Sequence, residues 1–375
     1  MSQMDPTVSG AKPVRLLSLD ALRGFDMIWI VGASAIVRQL ATWQQTPWLQ
    51  AWATQLSHVT WDGLRAYDLI FPLFMFLSGV AIPFSIGGDR AQDGSHAKMV
   101  RKILVRTITL VVLGMIYNGL LSSQTGTPRL LSVLGQIGIA WGISAYLQMA
   151  CPAIGKRVVI VCGIIVGITA LQLGFPVPGH GAGVLTETGA VNAWLDRLLV
   201  PGRLNGTTFD PEGLLCILSA TSVTLAGAVV GSFLRNTPTY SWKLCAGIAL
   251  TGVAVIALGT LSWKLGYPPI KSLWTGTFDL LVIGISLLIF ALFFGIIDVA
   301  RWQSWSLPLR IVGMNSLTIY LLTRFFDFSK PADLWFGRLA HSLGDAKGTV
   351  LAIAILLIEW LLLAFLYRKR IFLRV

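Results

Sequence analysis

Histidine and aspartate stand ten residues apart in the run Ser57-His58-Val59-Thr60-Trp61-Asp62-Gly63-Leu64-Arg65-Ala66-Tyr67-Asp68-Leu69-Ile70-Phe71-Pro72. Imidazole titrates near neutrality and serves as a general base or as a nucleophile. A carboxylate that accepts its second ring N–H would fix the tautomer; Asp62 and Asp68 are both candidates on spacing alone. The chain has four histidines. His96 lies in a charged loop and His180 and His341 in polar ones, whereas His58 stands at the mouth of an apolar segment that Asp68 enters. Pro72 removes a backbone donor one turn later, which is tolerated at membrane depth where protein or water satisfies the freed group.

Few other ionisable groups fall in apolar surroundings. They are Asp20, Arg23 and Asp26, spaced three apart on one helix face, with Asp279 and Glu359. Asn118, Gln136, Gln148, Asn315 and Ser316 join them as uncharged polar groups. An ionisable group inside a bilayer is costly and faces a cavity or a partner, so each is a candidate functional residue.

The elements that position these groups are read from hydropathy. Of 375 residues 55% are apolar and only 12% charged, with a mean hydropathy of +0.72. Soluble domains carry about 25% charged residues, so the class is membrane protein. A spanning helix takes about 20 apolar residues. Segments near 19–40, 63–88, 103–122, 130–150, 158–174, 213–234, 244–263, 273–297, 309–326 and 349–367 qualify. The expected fold is an all-α polytopic bundle of about ten transmembrane helices. Lys and Arg concentrate in alternate short loops, which places both termini in the cytoplasm by the positive-inside rule. That bias also accounts for the net charge of +12; with the basic residues spread over loops, no nucleic acid is expected as a partner. Residues 1–14 are polar and lack the apolar core of a signal peptide, so they read as a flexible cytoplasmic tail ahead of one domain, 15–375. The setting expected is a bacterial inner membrane, with the lipid bilayer as partner.

Segments 41–62, 175–212 and 327–348 are long and outward-facing, and are expected to fold over or into the outer face. Trp43, Trp48, Trp52 and Trp61 suit an interface. Gly138 with Gly142, Gly163 with Gly167 and Gly227 with Gly231 have the small-xxx-small spacing of close helix contacts. Cys151, Cys162, Cys216 and Cys245 lack metal-ligand spacing, so no metal and no disulfide are expected.

Four blocks, in order along the chain, resemble the transmembrane acyltransferase family of heparan-alpha-glucosaminide N-acetyltransferase and its bacterial relatives. They are Arg15–Gly24, His58–Pro72, Phe209-Asp210-Pro211-Glu212-Gly213, and Tyr267–Trp274 with the later Gly313-Met314-Asn315-Ser316. The resemblance implies transfer of an acetyl group from cytoplasmic acetyl-CoA to the amine of a glucosamine-type sugar on the far side, and a homodimer. It puts the active histidine on His58 and its carboxylate on Asp68. Asn315 and Ser316 would line the donor cavity. Arg23, Arg101, Lys102 and Arg106 would meet the CoA phosphates, positive-inside placement being the alternative reason for them. Trp61, Asp62 and Ser34 would contact the acceptor, as could Tyr67 by stacking on the sugar ring. Ser34 is a departure, standing where the lysosomal enzyme places an asparagine. His58 would act by deprotonating the ammonium or by accepting the acetyl group first. Two rival readings stay open: an amino-sugar transporter, which predicts two related halves that the chain does not display, and an O-acyltransferase of a surface polysaccharide.

Overall fold

Backbone polar groups in a bilayer must be satisfied within the chain, so apolar runs of spanning length fold as helices. A computed structural model describes residues 16–86, 96–121 and 127–373. The tail 1–14 and Arg15 lie outside the described residues. Among those described there are fifteen α-helices and no strand beyond isolated bridges. In chain order they are α1 (Leu17–Ile28), α2 (Ser34–Gln44), α3 (Pro47–Gln55), α4 (Ala66–Ile86), α5 (His96–Tyr117), α6 (Val133–Ala150), α7 (Ile154–Gly174), α8 (Val191–Leu199), α9 (Leu214–Asn236), α10 (Trp242–Lys264), α11 (Gly276–Phe294), α12 (Leu307–Gly313), α13 (Ser316–Phe325), α14 (Ser329–Ser342) and α15 (Lys347–Arg368).

Among the described residues six helices are long and apolar enough to cross a membrane: α4, α7, α9, α10, α11 with its π-helical extension to Val299, and α15 with the short turn before it. The chain is a multi-pass membrane protein. The other four segments expected from hydropathy also form helices, but fall short by that measure for visible reasons. The first is divided by a π-helical turn at Trp29–Ala33 between α1 and α2. α5 begins at His96 and carries Lys98, Arg101, Lys102 and Arg106. α6 has only 18 residues and includes Gln136 and Gln148. The last breaks at Met314–Asn315 between α12 and α13. The long outward segments are partly helical, contributing α3, α8 and α14.

α4, α9 and α11 are mostly buried and form the centre, whereas α7, α10 and α15 turn most of their apolar surface outward, as a lipid-facing helix does. The centre is tight because glycine admits backbone to backbone. A Cβ on Gly227 would sit 2.1 Å from the carbonyl oxygen of Phe76, and one on Gly79 would sit 1.9 Å from that of Thr224. Gly138 and Gly142 likewise meet Leu110 and Thr107 of α5. Gly163 and Gly167 correct the sequence reading: a Cβ on either would meet nothing from another helix within 4 Å among the described residues, because that face of α7 points away from the bundle. Gly227→Val is therefore expected to lower the thermal midpoint in detergent sharply, overpacking costing about 1–3 kcal/mol or more. Gly163→Val is expected to leave it within a degree or two.

Candidate active site

The segment between α3 and α4 is irregular and held by specific hydrogen bonds. Arg38 Nη1 donates to Leu56 O (3.0 Å), and Arg65 Nη1 donates to Ser57 Oγ and His58 O (both 2.9 Å). The Gly63 N–H donates to Pro269 O at 2.9 Å, and Asp62 bridges Ile270 through the backbone. The loop carrying His58 is thereby pinned to the loop carrying Lys271.

Asp68 sits in the first turn of α4, where the helix dipole favours a carboxylate. Its Oδ2 accepts from the backbone N–H of Val59 and of Arg65, both at 3.3 Å. Its Oδ1 lies 2.7 Å from His58 Nδ1 and accepts from Lys271 Nζ at 3.2 Å. A carboxylate only accepts, so this geometry puts the proton on Nδ1 and leaves the lone pair of His58 on Nε2. Lys271 Nζ, 3.2 Å from the same Nδ1, then acts on Asp68 by hydrogen bond and charge. Asp68 is buried, whereas the His58 side chain is 57% exposed, so the pair joins a fixed anchor to an accessible base. Burial draws the Lys271 ammonium below its ordinary value, and Asp68 opposes the shift.

His58 opens on a cavity of about 420 Å³ lined also by Trp61, Tyr67, Glu212, Lys271 and Tyr320. The Tyr67 ring lies 4.8 Å from the imidazole, and Trp61 is fixed edge-on to Phe209 at 5.3 Å with its Nε1 donating to Leu185 O at 2.8 Å. Glu212 pairs with Arg129, which also grips Asp210 through Nε (2.9 Å) and Nη2 (2.6 Å). Burial raises the Glu212 carboxyl to about 7, Arg129 opposing and the Asp210 charge reinforcing.

A second cavity of about 400 Å³ lies beneath and shares Ile30, Phe71, Val133 and Tyr320 with the first. Its lining includes Asp20, Arg23, Arg106 and Ser316. A third, of about 610 Å³, shares Arg106 with the second and adds Lys98, Arg101 and Lys102. Arg23 Nη2 donates to Leu77 O at 3.3 Å, and the Arg106 guanidinium lies over the Trp141 ring at 4.0 Å. The Nε of each is buried with no hydrogen-bond partner among the described residues, and the two cations are close enough to repel each other.

The structure thus brings His58, Asp68 and Trp61 together at one cavity, and Arg23, Arg101, Lys102, Arg106 and Ser316 along the two that follow. Three candidates stand elsewhere. Asp62 is exposed and lines none of these cavities, because its strand-like pairing with Ile270 turns it away; Asp68 alone meets His58. Ser34 is buried at the start of α2, and Asn315 is buried at the α12–α13 break, where its Oδ1 accepts from Thr318 Oγ1 at 3.4 Å; neither lines the cavities. Several polar groups in the apolar segments hold helices together instead: Ser219 and Ser222 donate to Asp279, Gln136 donates to Cys216 O, and Asn118 donates to Leu131 O. Glu359 Oε2 is buried without a partner among the described residues. Lys271 and the Arg129–Asp210–Glu212 cluster were given no role from the sequence; Lys271, Asp210 and Glu212 fall within the blocks that carry the family resemblance, whereas nothing marked Arg129.

No protein-family model matches the chain. It is 23% identical over 419 aligned positions to the human protein named heparan-alpha-glucosaminide N-acetyltransferase, covering 96% of this chain and 60% of that protein. It is 24% identical over 380 positions to the mouse protein of the same name, covering 84% of this chain and 56% of that one. The chain spans less than two thirds of the length of these curated relatives.

Proposed function

We propose that this chain, related at the family level to the heparan-alpha-glucosaminide N-acetyltransferases, is a membrane acetyltransferase that passes an acetyl group through the bilayer to an amino sugar. The donor in this reading is acetyl-CoA on the cytoplasmic side, and the acceptor is the amine of a glucosamine-type sugar on the far side of a bacterial inner membrane. The observation that carries it is the succession of three cavities. Basic side chains line one end and His58, oriented by Asp68, opens at the other.

The basic end fits the donor. Arg23 and Arg106 both line the middle cavity, where Asp20 answers part of the Arg23 charge while Arg106 faces Arg23 with no carboxylate of its own in that lining; CoA phosphates are anions that would meet both cations. The alternating enrichment of Lys and Arg sets that end in the cytoplasm. About ten helical crossings, counting the interrupted segments α1–α2 and α12–α13, would bring both termini to the same side.

At the other end the chemistry is acyl transfer. His58 Nε2 takes a proton from the acceptor ammonium. The freed nitrogen lone pair attacks the thioester carbonyl carbon, a C–N bond forms, the C–S bond breaks, the departing sulfur takes the proton held on Nε2 and leaves as the thiol, and the nitrogen's remaining excess proton passes to water. In the two-step variant Nε2 is itself acetylated first, releasing the thiol, and then gives the acetyl group to the amine. Asp68 stabilises the imidazolium or acetyl-imidazolium that forms, and Lys271 keeps Asp68 ionised. Trp61 and Tyr67 offer aromatic faces to a sugar ring. Exchange of label between acetyl-CoA and CoA without acceptor distinguishes the two routes, since only the two-step route supports it.

The test is reconstitution in liposomes with labelled acetyl-CoA and glucosamine on opposite sides. Wild-type protein is expected to acetylate glucosamine, and His58→Ala to lose the reaction while keeping its thermal midpoint. Counterflow of labelled sugar without acetyl-CoA, and no transfer to glucosamine or to hydroxyl acceptors, would replace this reading with a transporter.

A further inference from the structure

Beside the His58 cavity lies a smaller one of about 200 Å³, lined by Tyr117, Asn118, Arg129, Arg203, Asn205 and Arg324. Asn205 lines both, so the two adjoin. Tyr117 also stacks on Tyr320 of the His58 cavity, with ring centroids 4.8 Å apart and planes within 11°.

This is a built concavity. Gly202 has φ +94°, and a Cβ there would lie 2.4 Å from Pro128 O, so only glycine lets the Arg203 loop close on the Arg129 loop. The Arg203 N–H donates to Pro128 O at 3.3 Å across that contact. Arg324 Nε donates to Tyr117 O at 3.1 Å, and its guanidinium lies over the Tyr117 ring at 5.7 Å. Asn118 is anchored through Leu131 O at 2.6 Å.

Three guanidiniums therefore converge on a space the size of a small anion. Arg129 is matched by Asp210 and Glu212 through Nε and Nη2. Neither Arg203 nor Arg324 meets a carboxylate among the described residues. The pocket keeps uncompensated positive charge, and planar guanidinium forks suit carboxylate or phosphate oxygens.

We infer that this cavity is an anion subsite of the acceptor, and that the acceptor is an amino sugar carrying a carboxylate or phosphate: its amine reaches His58 while its anion rests on Arg203 and Arg324. The identity of the transferred group rests on the acetyltransferase reading; the anion subsite does not.

Binding to the purified protein in nanodiscs, without acetyl-CoA, tests it. Glucosamine 6-phosphate and a glucosaminyl–glucuronate disaccharide are compared with plain glucosamine, the two anionic sugars separating phosphate from carboxylate. At least one is expected to bind more tightly than glucosamine, with a preference that weakens as salt is raised. In Arg203→Gln/Arg324→Gln the preference ratio is expected to fall on the order of ten-fold for each guanidinium removed, and Arg203→Lys to restore part of it. Both arginines are exposed, so the fold should tolerate the changes. Equal binding of all three sugars, or a ratio unmoved in the double variant, overturns the subsite. A ratio that behaves as expected in a protein that transfers no acetyl group would retain the subsite and remove the acetyltransferase reading.

Discussion

Asp68→Asn is expected to lower acetyl transfer on the order of 10³–10⁴-fold, the scale seen when the carboxylate behind a catalytic histidine becomes an amide. The substitution is nearly isosteric, so the bonds from the Val59 and Arg65 N–H groups can persist on the amide oxygen. What changes is the face toward His58. An amide NH₂ at the Oδ1 position, 2.7 Å from Nδ1, favours the tautomer with its proton on Nε2, the wrong nitrogen for a base facing the cavity. Lys271, 3.2 Å from both groups, also loses its counter-charge and opposes the imidazolium as it forms. Both effects act on the reacting state, so kcat falls with little change in the apparent affinity for acetyl-CoA. Steady-state transfer in liposomes, with a thermal midpoint to confirm folding, measures this. A loss smaller than ten-fold would mean that Asp68 does not set the tautomer.

The contrast between Asp62 and Asp68 shows what the sequence could carry. Both lie within ten residues of His58, and only one can turn toward it. The choice is made by Pro269 and Ile270, some 200 residues away, which pair with Gly63 and Asp62 and rotate the intervening segment. Local spacing holds no record of that pairing; the family resemblance put the carboxylate on Asp68, whose Oδ1 lies 2.7 Å from His58 Nδ1. The apolar runs marked α4, α9 and α11 plainly, since a lipid-spanning helix has one dominant requirement. Helix contacts were less legible. Gly163–Gly167 and Gly227–Gly231 have identical spacing, yet one pair meets open space and the other meets α4, because spacing defines a face and not its neighbour. Lys271 was hidden for the same reason as the Arg129 cluster: its partners come from other segments of the chain. Arg23, Arg101 and Arg106 were anticipated as the charge that meets the donor; the cavities they line, which share Arg106, come from the packing of α1, α4, α5, α6 and α13.

Arg129→Ala is expected to be the most destabilising single change near the site. The Arg129 side chain is 13% exposed, Asp210 is fully buried and Glu212 nearly so, and removing one partner of a buried ion pair costs about 3–5 kcal/mol. Asp210 also accepts from the N–H groups of Asn205 and Glu212, so the loop leading into α9 depends on the cluster. The pH dependence identifies the cause. Burial pushes the Asp210 carboxyl up, but the Arg129 hydrogen bonds and charge outweigh it and hold the group below its ordinary value. A depressed carboxyl contributes stability that is present above its unfolded value and lost as pH falls through the folded one. Glu212, raised to about 7, works the other way: it withdraws stability as pH rises from the ordinary carboxylate range through about 7. Without Arg129, burial acts unopposed by any cation on both groups, with only the hydrogen bonds from Asn205 and Glu212 left to counter it at Asp210, and both shift upward. The variant then loses stability progressively as pH rises, and protonation of the two acids in mildly acidic solution relieves it. Thermal midpoints in detergent should therefore differ more between wild type and Arg129→Ala at pH 8 than at pH 5. An equal gap at both values would mean that Arg129 supports the loop by packing alone.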